Sequence, residues 1–521
     1  MPGEVAAPRI DITQLPPEAA ALIARLQQQV QAQAREIAWR DPAACYAALA
    51  AALPGPSAFL DSALVEPRLG RYSYVAVDPF RQLRFDGRRA FVDGQPVAGD
   101  PFAILRAELA RHPMVGRAGL PPFQGGALGW LSYDLGQQLE QLPDPRDPSR
   151  RFDDLALGLY DGLVAFDHVL GRAWIVASGL PEAEPLARAA RARARIARFA
   201  RILDAVPPEP GPGATPDPVA LTGPPAAVVP PSGRVAPVRV RSNFSRPAYL
   251  AGVQRVIDYI LAGDIFQANF TQRFSAELPA GDSAWALYRR LRVGNPAPFA
   301  AFLDWGEQVI ASASPERFLR LRAGGEVETR PIKGTRPRGA TPAEDAALGR
   351  ALLASEKDRA ENVMIVDLLR NDLSRVCRPH SVVTPEICAL ERYATVQHLV
   401  SAVEGRLEAG RDAVDLLRAS FPGGSITGAP KIRAMQIIAE LEPTRRGPYC
   451  GSVAWLGFDG AMDSSIIIRS FCIRGRQLSF QAGGGIVADS EPAAEHAESL
   501  DKAAALLRAL GGRLEEDDVS C

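Results

Sequence analysis

Short apolar stretches separated by turn residues characterise the first 180 positions of the chain. They lie at 71–80, 83–97, 125–135 and 155–179. Alternation of apolar and polar residues is typical of half-buried strands, and the Asp-Gly pairs within 83–97 suit tight hairpin turns. We therefore predict antiparallel strands and hairpins in this part of the chain.

The pattern changes after position 240, where helical spacing alternates with strand patterns. Apolar residues recur at helical spacing in 246–264, 356–376 and 429–441, whereas 298–324 and 463–483 read as strands. Because the strand regions form hairpins, we predict an α+β fold with large antiparallel sheets and not a doubly wound parallel fold.

A proline-dense segment at 205–237 separates the two patterns. Prolines follow one another so closely that neither a helix nor a strand ladder can persist. We predict an N-terminal domain at 1–204, a linker at 205–237, a catalytic domain at 238–512 and a tail at 513–521. The chain is long enough for such a division.

Composition narrows the range of partners and compartments. Hydrophobic residues make up 47% of the 521 positions, and 59 basic residues balance 60 acidic ones, with a formal net charge of −1. This balance gives no electrostatic reason to expect a nucleic acid or a membrane as partner. The absence of an apolar leader predicts a cytoplasmic protein, and the spacing of the six cysteines predicts buried thiols in a reducing compartment.

Two predicted helices carry pairs of carboxylates on one face. Asp358 and Glu361 are three positions apart, as are Glu495 and Glu498, with Lys502 on the same stripe. Solvated surface glutamates are one interpretation. The other is a Mg²⁺ site, because this cation prefers oxygen ligands and keeps several waters. In that case Glu361 and Glu498 bind the metal, and Asp358 and Glu495 hold coordinated water.

Glycine-rich turns precede two helices. Gly483, Gly484 and Gly485 lead toward the second acidic helix, where backbone N–H groups and the helix N-terminus favour an anion. A tight structural turn is the alternative. The stretch 420–436, which includes Ser425, is a second loop of this kind, but it lacks the phosphate-loop spacing, so a nucleotide is not implied.

Several cations and polar residues are candidates for binding a dianionic substrate. Arg469 ends an apolar run inside a strand pattern and suits a carboxylate. Tyr449 and His398, unaided, read as core residues. Lys333 lies among Arg330, Arg336 and Arg338, which could lower its pKa or bind an anionic substrate.

Eight stretches of the chain together resemble the chorismate-utilising enzymes. They lie at 263–274, 295–303, 314–318, 330–339, 361–376, 421–443, 449–470 and 482–502. The resemblance extends over about 240–510 and, less closely, 55–180. It implies an α+β fold of large antiparallel β-sheets packed as a sandwich with helices on the outside, and a Mg²⁺-dependent chorismate site in the C-terminal part.

The resemblance also implies roles for individual residues. Members of the family that form anthranilate have alanine at the position of Lys333, whereas members that aminate C4 of chorismate use a lysine there as a nucleophile. Glu316 is then the general acid. The substrate is expected to contact Gly334, Thr335, His398, Ser425, Tyr449, Arg469, Gly483, Gly484, Gly485 and Lys502.

The incoming nucleophile is expected to be ammonia. Relatives that add water to chorismate have a lysine where this chain has Gln267. The chain has no Gly-x-Cys-x-Gly turn, so a separate glutamine amidotransferase subunit is the expected source of ammonia, and 4-amino-4-deoxychorismate is the expected product. The alternatives are an anthranilate-forming subunit that carries a lysine and a catalytically inactive regulatory homologue.

A second pocket is implied in the N-terminal part. The stretch 59–79 is similar to the segment where relatives bind tryptophan, although the family pattern departs here at Leu60, Asp61 and Ser62. Ser62, Pro298 and Phe299 are the candidate residues for such a pocket.

Overall fold

The computed structural model describes residues 30–212 and 237–515, except for 67, 145, 148, 150, 151, 394 and 395. Most of the predicted linker lies outside these ranges, as does the tail after 515. The predicted domain boundaries therefore stay a prediction.

The strands of the described residues are short in the N-terminal part and longer in the C-terminal part. In chain order they are β1 (Val30–Gln31), β2 (Gln33–Ile37), β3 (Ser57–Asp61), β4 (Tyr72–Val77), β5 (Arg81–Phe85), β6 (Ala90–Val92), β7 (Gln95–Val97), β8 (Met114–Val115), β9 (Gly126–Leu131), β10 (Leu155–Tyr160), β11 (Gly162–Asp167), β12 (Arg172–Ala177), β13 (Val238–Ser242), β14 (Gln267–Glu277), β15 (Phe299–Asp304), β16 (Gln308–Ser314), β17 (Arg317–Leu321), β18 (Glu326–Thr329), β19 (Ile332–Pro337), β20 (Val383–Arg392), β21 (Val396–Arg406), β22 (Gly428–Ala429), β23 (Ser452–Gly457), β24 (Met462–Ile466), β25 (Ser470–Arg474), β26 (Gln477–Ile486) and β27 (Gly512–Leu514).

The α-helices of the described residues lie between these strands. They are α1 (Pro42–Ala52), α2 (Pro101–Ala110), α3 (Pro185–Leu203), α4 (Arg246–Leu261), α5 (Ala284–Gly294), α6 (Pro342–Ala354), α7 (Glu356–Ser374), α8 (Ala413–Ser420), α9 (Lys431–Leu441) and α10 (Pro492–Leu510). Short 3-10 helices occur at Tyr133–Gln138 and Gly424–Ile426. None of these helices is long and apolar enough to cross a membrane.

Two large sheets organise the molecule. The first has the order β19-β21-β18-β17-β24-β23-β9-β10-β5-β6-β7, with β20 also paired to β21. The second has the order β2-β12-β11-β4-β3-β15-β16-β25-β26-β14-β13-β27, with β22 paired to β14. The pairs are antiparallel except β13 with β27 and the separate pair β1 with β8. The predicted α+β fold with large antiparallel sheets is confirmed.

The hydrophobic core lies on both faces of the second sheet. Along β4, Tyr74 and Ala76 join a cluster that includes Trp130 and Leu157 of the first sheet. Val75 and Val77 point the other way and pack in a second cluster with residues of α1, α3, α5 and α10. Because successive strand residues face opposite sides, one strand contacts both the facing sheet and the outer helices. This arrangement is the predicted sandwich with helices outside.

Both acidic stretches are helices with clear boundary residues. Ser355 accepts a hydrogen bond from Asp358 N–H and caps α7. α10 has Pro492 in its first turn and ends at Gly511, whose φ of +67° is left-handed. Asp358, Glu361, Glu495 and Glu498 are therefore all helical.

Candidate functional site

Lys333 lies at an irregularity in the first sheet. The pairing of β19 with β21 shifts between Ile332 and Thr335, and Gly334 has a φ of +82°. A bulge redirects the side chain at that position. Nζ of Lys333 lies 2.8 Å from Oε1 of Glu361 and donates to the Ser425 carbonyl at 3.2 Å. The amine is therefore held in the interior by two other segments of the chain.

Carboxylates control the charge of Lys333. Burial lowers its pKa, but Glu361, Glu316 and Glu498 together outweigh burial and hold the pKa above its ordinary value. The amine is therefore a cation in the substrate-free protein.

The neighbouring arginines do not lower this pKa, and that part of the sequence interpretation is wrong. Arg330 pairs with Glu386 and Glu391. Arg336 pairs with Asp358, and Arg338 with Asp345. Each guanidinium is paired with an acid that lies outside the stretch 329–339. These arginines therefore do not form a cationic pocket around Lys333.

Glu316 is a buried carboxyl with a raised pKa. It is 8% exposed, and burial raises the pKa of its carboxyl, which a hydrogen bond from Ser425 and the charge of Lys333 only partly offset. A raised pKa favours the protonated form of a carboxyl, and the protonated form is the one a general acid requires. The geometry is consistent with the role expected for Glu316.

The acids of α7 and α10 approach each other across β26. A Cβ built on Gly485 would lie 2.9 Å from Oε1 of Glu361, and one on Gly484 would lie 3.0 Å from Glu495 Oε2 and 3.5 Å from Glu498 Oε1. Asp358 of α7 lies next to Gly334, the residue after Lys333, because a Cβ on Gly334 would lie 3.1 Å from the carboxyl carbon of Asp358. Glu361 of α7 and the two acids of α10 therefore lie next to successive glycines of β26, and Glu361 and Glu498 both act on the charge of Lys333.

Basic and polar side chains now hold these carboxylates. Glu361 pairs with Lys333 and also accepts a hydrogen bond from Nε2 of Gln267 at 2.7 Å. Burial raises the pKa of Glu361, but these two partners lower it by more. Glu498 pairs with Lys502 at 2.6 Å. Burial raises the pKa of Glu495, which accepts a hydrogen bond from Ser490 at 2.7 Å.

The three glycines lie in a strand and not in a turn, which corrects the sequence interpretation. Gly483, Gly484 and Gly485 all belong to β26 and pair with β14. Their small size serves close approach: a Cβ on Gly485 would lie 1.8 Å from Gln267 Nε2, and one on Gly483 would lie 2.0 Å from a backbone oxygen. The Gly483 carbonyl accepts a hydrogen bond from Lys502 at 2.9 Å.

These residues fit a hard divalent cation that also binds a ligand. The described residues include no group of three or more His, Cys, Asp or Glu side chains that could hold a metal alone. Mg²⁺ commonly takes one or two protein carboxylates, and waters and substrate oxygens fill the other positions. Glu361 and Glu498 lie beside the glycines of β26 and could supply two carboxylates. The Oε1 atom of Gln267 is buried, accepts no hydrogen bond from the described residues and could supply a third oxygen.

Arg469 lies between two strands, not inside one as the sequence suggests. It follows β24, precedes β25 and has a φ of +54°. Burial lowers its pKa, and Tyr449 and Glu498 partly offset this effect. Nη1 of Arg469 donates to the Lys502 carbonyl at 3.0 Å. A buried guanidinium held in strained backbone is a fixed donor for a carboxylate.

His398 and Thr335 form a neutral pair next to the bulge. Oγ1 of Thr335 lies 2.8 Å from Nδ1 of His398 across the β19–β21 pair. Burial lowers the pKa of His398 to about 4, so its imidazole is neutral near pH 7. The two residues therefore offer uncharged polar atoms beside Gly334.

A sequence profile described as chorismate binding enzyme matches residues 40–508 of the chain. The chain belongs to the chorismate-binding enzyme family. Its predicted family resemblance is confirmed.

Relatives of two activities are equally similar to this member of the family. Aminodeoxychorismate synthase component 1 of Klebsiella aerogenes is 40% identical over 91% of this chain and 97% of its own length. Anthranilate synthase component 1 of Thermus thermophilus is 41% identical over 87% of this chain and 92% of its own length. Overall similarity therefore does not distinguish the two.

Solved structures of the family share the fold. Anthranilate synthase component I of Streptococcus pneumoniae covers 85% of this chain and 94% of its own, at 30% identity and a TM-score of 0.70. The menaquinone-specific isochorismate synthase of Escherichia coli covers 94% and 98%, with a TM-score of 0.64 at 19% identity. The second likeness concerns the fold alone.

The candidate tryptophan-pocket residues line a separate cavity of this chorismate-binding enzyme. Ser62, Pro298 and Phe299 border a space of about 640 Å³ together with Tyr72 and Trp455. The structure therefore brings all three predicted residues together.

Sequence reasoning missed the contacts that hold the site together. Gln267 was noticed only because relatives have a lysine there, yet it binds Glu361 directly. Ser490 supports Glu495, and Asn362 and Ser401 lie behind Glu361 and Lys333. The contacts of Gln267 with Glu361 and of Ser401 with Asn362 join distant segments, so spacing within the chain gives no signal for them.

Proposed function

We propose that this protein aminates chorismate at C4 and forms 4-amino-4-deoxychorismate as the synthase component of a two-subunit enzyme. The observation that carries the proposal is Lys333, a buried amine beside Glu316 and the carboxylates of α7 and α10. Because relatives named for either activity are equally similar, the choice depends on this residue.

The proposed reaction uses Lys333 as a nucleophile. The amine adds to C2 of chorismate while the bond from C4 to its hydroxyl breaks, and Glu316 protonates the departing oxygen so that water leaves. Ammonia then forms a bond to C4, and the bond between Lys333 and C2 breaks. Since an ammonium cannot attack carbon, Lys333 first has to release one proton to solvent, when the carboxylates that raise its pKa contact other groups. After ammonia has added, Lys333 leaves as the neutral amine, and the new ammonium group at C4 returns a proton to Glu316.

Glu361 and Glu498 are the proposed ligands of Mg²⁺, and Asp358 and Glu495 are proposed to hold its waters. The cation would neutralise these acids and bind a carboxylate of the substrate. Arg469 and Tyr449 are proposed to hold the remaining polar groups of chorismate, with Thr335 and His398 beside them.

Ammonia is proposed to come from a glutamine amidotransferase subunit. The support is that relatives with this length of chain are named component 1 of their synthases. We further propose that the cavity at Ser62, Pro298 and Phe299 binds tryptophan, because its volume suits a small aromatic ligand and Tyr72 and Trp455 line it.

The proposed activity is tested with chorismate, Mg²⁺ and an ammonium salt. We expect turnover that yields p-aminobenzoate only after aminodeoxychorismate lyase is added, and no turnover with glutamine in place of ammonium. Anthranilate formed without the lyase would overturn the proposal. An inactive preparation with bound chorismate would instead favour a regulatory homologue.

Replacement of the amine tests its role directly. We expect Lys333→Ala to abolish aminodeoxychorismate formation, with any remaining activity shifted toward anthranilate, because the covalent route is lost. The exposed Lys357 provides the matched control, and Lys357→Ala should keep the activity. Only four of the 59 basic residues are lysines, so mass spectrometry can assign a trapped substrate adduct without ambiguity. Full activity of Lys333→Ala would exclude covalent catalysis.

A further inference from the structure

The contact between Lys333 and Glu361 joins two separate elements. Lys333 belongs to β19 and Glu361 to α7, and their polar atoms are 2.8 Å apart. The ladder between β19 and β21 is interrupted at Lys333, so regular strand pairing does not fix its position. Other contacts must therefore set the geometry of this pair.

Ser401 of β21 contacts the chain next to both residues. Its N–H donates to the carbonyl of Pro331, two residues before Lys333, at 3.2 Å. Its hydroxyl donates to Oδ1 of Asn362, the residue after Glu361. Ser401 and Asn362 both have 0% exposure. One buried serine thus links the strand of Lys333 to the helix of Glu361.

The direction of this hydroxyl is fixed by a strained residue. Cys388 has a left-handed φ of +51°, and its N–H donates to Oγ of Ser401 at 2.9 Å. Because Oγ accepts this hydrogen bond, its own hydrogen is free to point at Asn362. Nδ2 of Asn362 donates to the Leu399 carbonyl at 3.2 Å. Both polar ends of the Asn362 amide are therefore bound to β21, which fixes the rotation of α7.

We infer that Ser401 and Asn362 form a positioning clamp that sets the distance and orientation between Lys333 and Glu361 during catalysis. The inference rests on the proposed function, because it requires Lys333 to react with the substrate. Both residues act through their neighbours, so they are positioning residues. A shift of about 1 Å in a reacting group can lower the rate by about 10²-fold.

Ser401→Ala and Asn362→Leu, in the full chain assayed with ammonium, test the clamp. We expect each to lower kcat about 10- to 100-fold while KM for chorismate stays within about twofold, because substrate contacts remain. Ser401→Thr restores the hydroxyl and should recover most of the lost kcat. The matched control is Ser132→Ala, which removes another fully buried hydroxyl, one that donates to the Asp153 carbonyl at 2.7 Å. It should lower Tm similarly and leave kcat unchanged.

A double variant strengthens the test. If both residues act through one hydrogen bond, the losses in kcat of Ser401→Ala and Asn362→Leu should not multiply when combined. Unchanged kcat in both single variants, or a rise in KM alone, would overturn the clamp. Failure of the proposed function has a different signature, namely that Lys333→Ala keeps its activity or that anthranilate is the product.

Discussion

The buried carboxyl of Glu316 lowers the stability of the folded state once the pH is high enough to ionise it in the unfolded chain. Burial raises its pKa, which means that the folded protein disfavours the ionised form. Between the ordinary pKa of a glutamate and the raised value, the folded state binds more protons than the unfolded state. Stability therefore falls as pH rises through this window and stays reduced above it.

Glu316→Gln should separate the effect of this carboxyl on stability from its effect on activity. Glutamine is neutral at every pH, so the variant should be more stable than the parent above the window, on the order of 1 kcal/mol for each pKa unit of the shift. The difference should vanish below about pH 4, where both side chains are neutral. Melting curves at pH 4, 6 and 8 measure this, and assays of the same samples should show lost activity. A variant that melts earlier than the parent at pH 8 would contradict the prediction.

At the level of elements, the glycines of β26 leave room for the acidic side chains of α7 and α10 to approach the strand. Glu361, Glu495 and Glu498 come from two helices that could not both approach a strand with ordinary side chains. Arg469 has a left-handed φ between β24 and β25, and its long side chain reaches the Lys502 carbonyl in the middle of α10. Backbone geometry thus determines where the charges meet.

Gly485→Ala should disturb the site more than the fold. The new methyl group would lie 1.8 Å from Gln267 Nε2 and 2.9 Å from Glu361 Oε1, so both side chains have to move. We expect kcat/KM to fall at least tenfold, with a stability loss of about 1–3 kcal/mol. Gly116→Ala is the control, because its methyl group would meet the end of Asp459 at 2.9 Å, away from the site. Equal losses of activity in both variants would contradict this account.

The elements of this fold were more predictable than their contacts. Pro492 in the first turn and Gly511 at the end are local signals for α10, and the Asp-Gly pairs within 83–97 predicted a hairpin of the first sheet. Spacing could not reveal that Arg336 is paired with Asp358 or that Gly485 faces Gln267, because these contacts depend on how distant segments meet. Local rules and the family resemblance supplied the candidate residues, and the local interpretation assigned the wrong environment to Lys333.

At the level of the whole molecule, the cavity at Ser62, Pro298 and Phe299 lies between the two large sheets. Its lining comes from β3, β4, β15, β17, β23 and β24, which belong to both sheets. A ligand enclosed there would hold them together.

Tryptophan binding in this cavity should appear as thermal stabilisation. A ligand that binds only the folded state at 100 times its Kd adds about 2.7 kcal/mol, so L-tryptophan should raise Tm and L-alanine should not. Phe299→Ala should remove the shift, because the ring that borders the cavity and lies 5.0 Å from the Arg317 guanidinium is lost. An unchanged Tm at saturating L-tryptophan would contradict the assignment.

The strand order has a final consequence for how the chain can be divided. β3 pairs with β15, and β9 pairs with β23, so each sheet is completed by strands from both sides of the proline-dense segment. A cut within that segment would leave two interlocked fragments that remain associated without a covalent link. Neither fragment could serve as a portable module, because each would expose the unpaired edge of two broken sheets.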